Sequence, residues 1–357
     1  MTVLQAEQWR RVGRALFIAA GTTESNAMRV TEALVESSLA GHDSHGVIRF
    51  VQYTKAIEAG QLDPAAQPEV IKETACTSLV DGKWTFGQVG AEVCMKKAIG
   101  QARSNGIAIS GLIRANHIGR VGEYSEMAYK AGMIGIVMVG GFASAGGAAA
   151  NSGVAPFGGA RPAFGTNPIS FGLPAGEQPP VMVDFATSAV AGGKISLARA
   201  KGTSLPPNSI LDKNGQPSTN PEDFYDGGML LTFGGHKGYG LAVAIELLTQ
   251  SLTGSDRFAG EKVLGGSYRK TGSTFIAVNP AVFRPSAEYA SAADVTLKRI
   301  KDVPPAPGFD EVLIPGEPER LTRAQRIVEG ISMPDSSWEE LQKLAAKYKV
   351  DVTQLLA

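Results

Sequence analysis

The sequence predicts an α/β protein with helical segments at both ends, and three observations support this fold class. Amphipathic helical patterns occupy the start of the chain and return after residue 336. Between residues 77 and 185, short apolar runs alternate with helical stretches. No internal repeat is visible. We therefore expect residues 1–75 plus 318–357 to form one discontinuous helical domain, packed around an α/β region of residues 76–317 that binds cofactor and substrate.

Three helices are predicted near the N-terminus. The first covers residues 5–20, ends at Gly21, and has an apolar face formed by Trp9, Val12, Leu16 and Phe17. The second begins near Ser25 and ends at Gly41, and the third covers residues 48–59 before Gly60. Glycine at these ends fits, because it readily adopts the left-handed conformation that terminates many helices.

Apolar runs predict the strands of the central region: Thr77–Val80, Ile107–Ile113, Met133–Val139, Val181–Phe185 and Thr274–Val278. Helical stretches at residues 91–104 and 121–131 separate the earlier runs. Residues 237–253 are apolar on several faces, which predicts a buried helix.

The remaining segments are predicted as loops and one final helix. Residues 202–221 and 279–318 are rich in Pro, Asn, Asp and Gly, so we expect two long loops. Ser336 and Glu339 have the spacing of a capping box, and Leu341, Leu344 and Tyr348 follow at helical period. A C-terminal helix is therefore expected.

The composition excludes several classes of protein. Lys plus Arg and Asp plus Glu each number 34, so no general basic excess supports nucleic-acid binding. No apolar run is long enough to span a membrane, and the N-terminus lacks the apolar region of a secretory signal. Only Cys76 and Cys94 are present, which argues against a disulfide framework and favours a reducing cytoplasm.

The four histidines are the first candidates for chemistry: His42, His45, His117 and His236. Each has a glycine within two positions and lies near a boundary between predicted elements. A single histidine of this kind more often caps or hydrogen-bonds a neighbour. Four in the same setting make proton transfer an equally good interpretation, because histidine exchanges protons near neutrality.

Arg49 lies about one helical turn from His45 if a helix begins near Gly46. A guanidinium beside a proton donor suits the reduction of a 2-oxo acid, since arginine binds the carboxylate and histidine protonates the new alkoxide. Taken alone, an arginine ion pair at a helix start explains the pattern better.

Metal and hydrolase sites are poorly supported. His42 and His45 are three residues apart with Asp43 between them, but no HExxH motif or third ligand accompanies them, so we expect no metal. No GxSxG motif is present, and adjacent Ser44 and His45 do not form a triad.

The usual phosphate-binding signatures are also missing, because neither GxGxxG after a strand nor GxxxxGK[ST] occurs. Three other glycine-rich segments are present: GTNPISFGLP (165–174), VDFATSAVAGGK (183–194) and GGHKGYGLA (234–242). Asp184, Thr187, Ser188 and Lys237 in these segments could hold ribose hydroxyls and phosphates. As structure alone, the same residues are caps and tight turns, and spacing does not separate the two interpretations.

Six segments in order resemble the malate/L-lactate dehydrogenase type 2 family: AGHDSHGVIRFVQY, ANHIGRVGEY, FGTNPISFGLP, VDFATSAVAGGK, HKGYGLA and LIPGEPE. They run from about residue 40 to residue 320. The resemblance implies a nicotinamide-binding α/β fold of the L-sulfolactate/malate dehydrogenase type, unrelated to the Rossmann fold. It departs at residues 140–150, GGFASAGGAAA, where the family often has an asparagine-containing turn.

The resemblance also implies roles for individual residues. His45 would be the acid/base, His117 would orient the substrate or share the proton transfer, and Arg49 would hold the carboxylate. The cofactor, NAD or NADP, would contact Gly119, Thr166, Asn167, Asp184, Phe185, Ala186, Lys237, Gly238, Gly316 and Glu317. The implied protein is a homodimer.

The sequence therefore predicts an NAD(P)-dependent oxidoreductase that interconverts a small 2-oxo acid and its 2-hydroxy acid, with no nucleic-acid or membrane partner. Reduction of a cyclic imine such as piperideine-2-carboxylate is an alternative, because it needs the same carboxylate anchor and hydride. A non-catalytic ligand-binding protein on this fold is a third possibility. It is disfavoured because His45, His117 and Lys237 are all present.

Overall fold

A computed structural model describes residues 1–141, 153–258, 262–263, 266–267 and 271–356. Its helices are α1 Ala6–Ala19, α2 Glu24–Leu39, α3 Arg49–Glu58, α4 Gly87–Asn105, α5 Gly122–Lys130, α6 Gly192–Lys201, α7 Pro221–Tyr225, α8 His236–Glu246, α9 Ser286–Lys301, α10 Glu317–Glu329, α11 Asp335–Lys347 and α12 Val352–Leu356. Its strands are β1 Thr2–Leu4, β2 Glu69–Glu73, β3 Thr77–Asp81, β4 Ile107–Ile113, β5 Ile134–Gly141, β6 Ile169–Leu173, β7 Val181–Phe185, β8 Ile210–Leu211, β9 Pro217–Ser218, β10 Met229–Leu230, β11 Lys262–Val263, β12 Gly266–Ser267, β13 Thr271–Val278 and β14 Ile331–Met333. The predicted α/β class is confirmed.

The central sheet has seven strands in the order β2-β3-β4-β13-β5-β6-β7. Only the β3–β4 pair is parallel, and the other pairs are antiparallel. A Rossmann sheet is parallel, so this topology accounts for the missing GxGxxG motif. Strand β13 enters the middle of the sheet between β4 and β5, although it is more than 120 residues away from β5 in the chain.

The two ends of the chain share a hydrophobic core. Trp9 on α1 is fully buried, and its indole Nε1 donates to the carbonyl oxygen of Ile331 at 3.0 Å. Strands β1 and β14 pair antiparallel, and Leu341 and Leu344 of α11 join the same cluster. This cluster also includes Phe86 at the start of α4, so it continues into the α/β region. The division of the chain at residues 75 and 318 stays a prediction.

One loop prediction is wrong, and a second is only partly correct. Residues 279–318 contain the 16-residue helix α9, which buries only Leu297. Apolar periodicity is weak in a helix with so little buried surface, whereas the Pro-rich flanks dominate the composition. Residues 202–221 contain β8 and β9, which form a small sheet with β10.

Two further details need correction. Pro334, not Ser336, occupies the N-cap position of α11 and no side chain caps it, so the predicted capping box is not formed. The predicted buried helix 237–253 is α8 followed by a π-helical segment, Leu247–Ser251. Its outer face carries Leu247, Leu248 and Leu252, which are 57%, 44% and 60% exposed.

Candidate active site

The first part of the site is the short connection between α2 and α3. Asp43–His45 form one 3₁₀ turn, and Gly46 follows in an extended conformation. A Cβ atom at Gly46 would lie 1.9 Å from Ser38 Oγ, which accepts a hydrogen bond from the Val47 N–H at 3.1 Å. Glycine is therefore required here by the close packing of this turn on α2.

His45 is fixed by its neighbours in the same turn. The Ser44 hydroxyl lies 2.8 Å from His45 Nδ1, and Arg49 Nε donates to the Ser44 carbonyl oxygen at 2.6 Å. Burial lowers the pKa of His45 to about 4, and the positive charges of Arg49, His42 and Arg120 act in the same direction. His45 is consequently neutral at pH 7.

His117 lies on the loop between β4 and α5, and its ring stacks on that of His45. The ring centroids are 5.2 Å apart and the planes differ by 25°. His117 Nδ1 is 2.7 Å from the hydroxyl oxygen of Tyr53, and Gln88 Nε2 donates to that oxygen at 2.9 Å. The structure thus brings together two histidines that are 72 positions apart in the sequence.

Sequence reasoning missed Tyr53 and Gln88 as members of this site. Tyr53 is four residues after Arg49 on α3, so helical spacing could have placed it beside the predicted pair. Burial raises the pKa of Tyr53 to about 12, and it is therefore a neutral hydroxyl at physiological pH. No sequence signal points to Gln88, because its position depends on how α4 packs against α3.

Asp184, the last but one residue of β7, lies beside the start of α5. Its Oδ2 accepts the Gly122 N–H at 2.7 Å. Burial raises its pKa, against the opposing effects of His42, Arg120 and the Gly122 N–H. Gly316 is adjacent, since a Cβ there would lie 3.1 Å from the backbone nitrogen of Met182 on β7. Gly119 has φ +80° on the loop that carries His117.

The predicted cofactor residues of the 165–174 and 234–242 segments form a second group. The Thr187 N–H and hydroxyl both donate to the Thr166 carbonyl, at 2.9 and 3.0 Å. Thr187 in turn accepts from the Phe233 N–H, and Phe233 accepts from the Gly238 N–H. Phe185 packs edge-to-face on Phe233 with ring centroids 5.5 Å apart. Ala186 lies between Phe185 and Thr187, and Lys237 is exposed in the first turn of α8.

Two predicted cofactor residues have their side chains bound by protein groups. Asn167 is 2% exposed, and its amide donates to the Ala242 carbonyl and to Glu246 Oε2 at 2.9 Å. The same Glu246 oxygen accepts the Gly141 N–H. The Glu317 carboxylate accepts the Ile314 N–H and pairs with Lys301. Residues 142–150 of the GGFASAGGAAA segment lie outside the described residues.

The residues considered for a metal have other partners. Asp43 forms a two-point ion pair with Arg326 of α10, and His42 Nε2 is 3.6 Å from Glu319 of the same helix. Among the described residues, no group of three His, Cys, Asp or Glu side chains could hold a metal ion. These contacts instead hold the turn that carries His45 against α10.

The groups near Asp184 fit a cofactor that carries phosphates and ribose. Arg120 is 5% exposed, and its Nε has no hydrogen-bond partner within the described part of the chain. The first turn of α6 lies beside the histidines, because a Cβ at Gly193 would be 3.7 Å from Ser44 Cβ. Unpaired N–H groups at helix N-termini and a buried guanidinium are the donors that phosphates and sugar hydroxyls need. Across the described residues, no helix is long and apolar enough to cross a membrane.

A largely antiparallel α/β fold, a stacked histidine pair beside an arginine, and hydrogen-bond donors suited to phosphate and ribose together describe a nicotinamide-dependent dehydrogenase of small carboxylic acids. Comparison with known proteins agrees with this class. The chain belongs to the malate/L-lactate dehydrogenase family, whose model matches residues 4–342.

Named relatives cover almost the whole chain. The malate/(S)-sulfolactate dehydrogenase of Methanothermus fervidus is 35% identical over 355 residues, covering 98% of this chain and 99% of the relative. Hydroxycarboxylate dehydrogenase B of Escherichia coli O157:H7 is 35% identical over 331 residues, covering 92% and 89%. The solved sulfolactate dehydrogenase of Methanocaldococcus jannaschii superposes with a TM-score of 0.88 at 32% identity, covering 99% of each chain. The chain is therefore an enzyme that interconverts 2-hydroxy acids and 2-oxo acids, as predicted.

Proposed function

We propose that the enzyme reduces a small 2-oxo acid with His117 as the proton donor, His45 as a neutral partner and Arg49 as the carboxylate anchor. The observation that carries this proposal is the stacked histidine pair next to Arg49. Two stacked imidazole rings 5.2 Å apart repel each other when both are charged, so the pair holds one extra proton at most.

Because burial lowers the pKa of His45 to about 4, we assign that proton to His117. The sequence ranks His45 first, and this proposal reverses the ranking. With the Ser44 hydroxyl donating to Nδ1, neutral His45 keeps its own proton on Nε2 and can hydrogen-bond the substrate oxygen. His117 then transfers a proton to the same oxygen as negative charge develops there.

Arg49 orients the substrate. Its anchor on the Ser44 carbonyl fixes the guanidinium within the turn that carries His45. A bidentate contact to the carboxylate would set the carbonyl carbon in one position relative to both rings. When bound, the dihydronicotinamide supplies the hydride. Asp184, Arg120, Gly119 and the N-termini of α6 and α8 would hold the cofactor, which we propose is NAD or NADP.

The test is consumption of NADH and NADPH, in parallel, with pyruvate, phenylpyruvate, oxaloacetate and glyoxylate. We expect turnover with at least one acid and one preferred cofactor. His117→Asn should lower kcat by about 10²–10⁴, while His45→Asn should lower it less and leave the pH dependence in place. Loss of the pH-dependent limb in His45→Asn, with its retention in His117→Asn, would restore His45 as the donor.

A cyclic imino acid is the second candidate substrate. The solved Δ1-piperideine-2-carboxylate reductase of Pseudomonas syringae superposes with a TM-score of 0.83 at 30% identity, covering 97% of this chain and all of that one. A cyclic imine carries the same carboxylate for Arg49 and accepts the same hydride. Piperideine-2-carboxylate therefore belongs in the substrate panel, and turnover of this compound alone would select it over the open-chain acids.

We also propose that the active unit is a homodimer in a reducing cytoplasm. Leu247, Leu248 and Leu252 form an exposed apolar face at the end of α8, which a second copy of the chain would cover. Cys76 and Cys94 are both free thiols, as expected in a reducing compartment. Light scattering of the purified chain tests the dimer, and Leu248→Glu/Leu252→Glu should release monomers.

A further inference from the structure

Three side chains form a hydrogen-bonded row behind His117. Gln88, in the first turn of α4, is fully buried, and its Nε2 donates to the Tyr53 hydroxyl at 2.9 Å. Tyr53 is 4% exposed, and its hydroxyl lies 2.7 Å from His117 Nδ1. His117 itself is exposed, so the row leads from the protein interior to the surface.

The backbone fixes the position of Gln88 tightly. A Cβ at Gly119, on the His117 loop, would lie 3.1 Å from Gln88 Nε2. A Cβ at Gly87 would lie 2.2 Å from the Asn116 carbonyl oxygen, so the loop rests directly on the start of α4. Rotation of the Gln88 amide about its last bond therefore exchanges the two amide atoms next to Tyr53 without displacing the side chain.

The row has a direction that depends on His117. A tyrosine hydroxyl has one proton. Because Gln88 donates to Tyr53, the hydroxyl proton is available for Nδ1 of a neutral His117, whose own proton is then on Nε2. When His117 is protonated, Nδ1 carries hydrogen and must donate to Tyr53, which then needs another acceptor for its proton.

Gln88 contains that acceptor. Its Oε1 is buried and has no hydrogen-bond partner among the residues that the structure describes. Rotation of the amide by about 180° exchanges Oε1 and Nε2, and Oε1 then accepts the Tyr53 proton. Each orientation makes one hydrogen bond and leaves one amide atom unpaired, so the two states have similar hydrogen-bond energies.

We propose that Gln88 is a positioning residue whose amide rotates to reverse the Gln88–Tyr53–His117 row when His117 gains or loses its proton. This inference rests on the proposed role of His117 as proton donor. The row transfers no proton to Gln88, because Tyr53 keeps one proton in both states. Its effect is that Nδ1 has a hydrogen-bond partner in both protonation states of His117.

Other charged groups surround the row and bear on its titration. His45 stacks on His117, and Arg49 on α3 favours the anionic form of Tyr53. Glu123 on α5 opposes that form, and Arg120 on the His117 loop acts on His45. Substitution of Gln88 changes none of these groups, so a matched set of Gln88 variants separates the effect of the amide from that of the surrounding charges.

Two substitutions at Gln88 should move the titration of His117 in opposite directions. Gln88→Met removes the acceptor, so a protonated His117 would leave the buried Tyr53 hydroxyl without a partner. The midpoint should fall by about one pH unit, a tenfold change in the equilibrium. Gln88→Glu supplies an acceptor that needs no rotation, and once its carboxyl is ionised the midpoint should rise by at least that amount. Gln101→Leu, at the far end of α4, is the control and should cause no change.

The measurement is a ¹⁵N NMR titration of the histidine-labelled full-length protein without substrate, with the His117 signals assigned through His117→Asn. At high pH, wild type should show a pyridine-like Nδ1, which carries no hydrogen. Gln88→Glu should show a pyrrole-like Nδ1, which carries the ring hydrogen. In a Tyr53→Phe background, Gln88→Met should have no further effect. Shifts in the same direction for both Gln88 variants, or no shift in either, would overturn the proposal. Because this readout needs no turnover, its outcome is separate from that of the dehydrogenase assay.

Discussion

Gly46→Ala tests whether close packing of the 3₁₀ turn on α2 sets the position of His45. The new methyl group would start 1.9 Å from Ser38 Oγ and 3.2 Å from Ser38 Cα, so either the serine side chain or the turn must move. Overpacking of this kind costs about 1–3 kcal/mol. Displacement of Ser38 Oγ also leaves the buried Val47 N–H without its acceptor, at about 1–3 kcal/mol.

We therefore expect Gly46→Ala to lower the free energy of unfolding by about 3 kcal/mol. Ser38→Ala should cost about 1–2 kcal/mol, because it removes only the acceptor. Each single variant loses the hydrogen bond of the Val47 N–H, so adding the two costs counts this loss twice. The double variant loses that bond only once, and the serine oxygen no longer obstructs the new methyl group. The destabilisation of the double variant should thus be smaller than the sum for the single variants by about 1–2 kcal/mol.

Urea unfolding of wild type, the two single variants and the double variant gives the four free energies of this double-mutant cycle. The kcat/KM of the same samples reports whether His45 has been displaced. We expect a loss of at least tenfold in Gly46→Ala that Ser38→Ala partly restores. Gly100→Ala is the control, because no atom lies within 4 Å of a Cβ at that exposed helical position. Strictly additive costs, or normal activity in Gly46→Ala, would refute the packing argument.

Two further predictions concern buried charges. Burial raises the pKa of Glu246, so its ionised form opposes folding and wild-type stability falls as pH rises above the ordinary carboxyl value near 4.5. Glu246→Gln keeps an acceptor for Gly141 and should raise Tm at pH 8 more than at pH 5. An equal change at both pH values would contradict this. Arg29 on α2 pairs with Glu123 at 2.7 Å and with Glu92. Arg29→Met should cost about 3–5 kcal/mol in denaturant titrations. The double variant Arg29→Met/Glu123→Leu should recover most of that stability. No recovery would show that the unpaired Glu123 carboxylate is not the cause of the loss.

The sequence predicts the elements that bury a periodic face and misses those that do not. Helix α1 was predictable because Trp9 and Leu16 repeat at helical spacing and are fully buried. Helix α10 has no buried residue and α9 buries one, so neither has the buried apolar face that identifies α1. Both are held largely by charged and polar contacts, which composition does not locate.

The candidate site was predictable to the extent that it lies in short motifs. His45, Arg49 and His117 were selected from sequence, and the structure places the two rings in contact. The sequence does not point to Tyr53 and Gln88, because their contacts with His117 depend on how α3, α4 and the loop before α5 pack together. Asn167 and Glu317 were predicted to contact the cofactor, and residue type alone did not reveal that their side chains also have protein partners.

The pairing of Asp43 with Arg326 has a consequence for synthesis of the chain. These residues are 283 positions apart in the sequence, and the hydrogen bond from Trp9 to Ile331 spans 322 positions. While the ribosome is still adding residues before α10, the apolar face of α1 has no C-terminal cover and the histidine turn has no clamp. Contacts this distant in sequence form late and slow folding. The turn that carries His45 should therefore acquire its contacts with α10 only after residues 317–329 have left the ribosome.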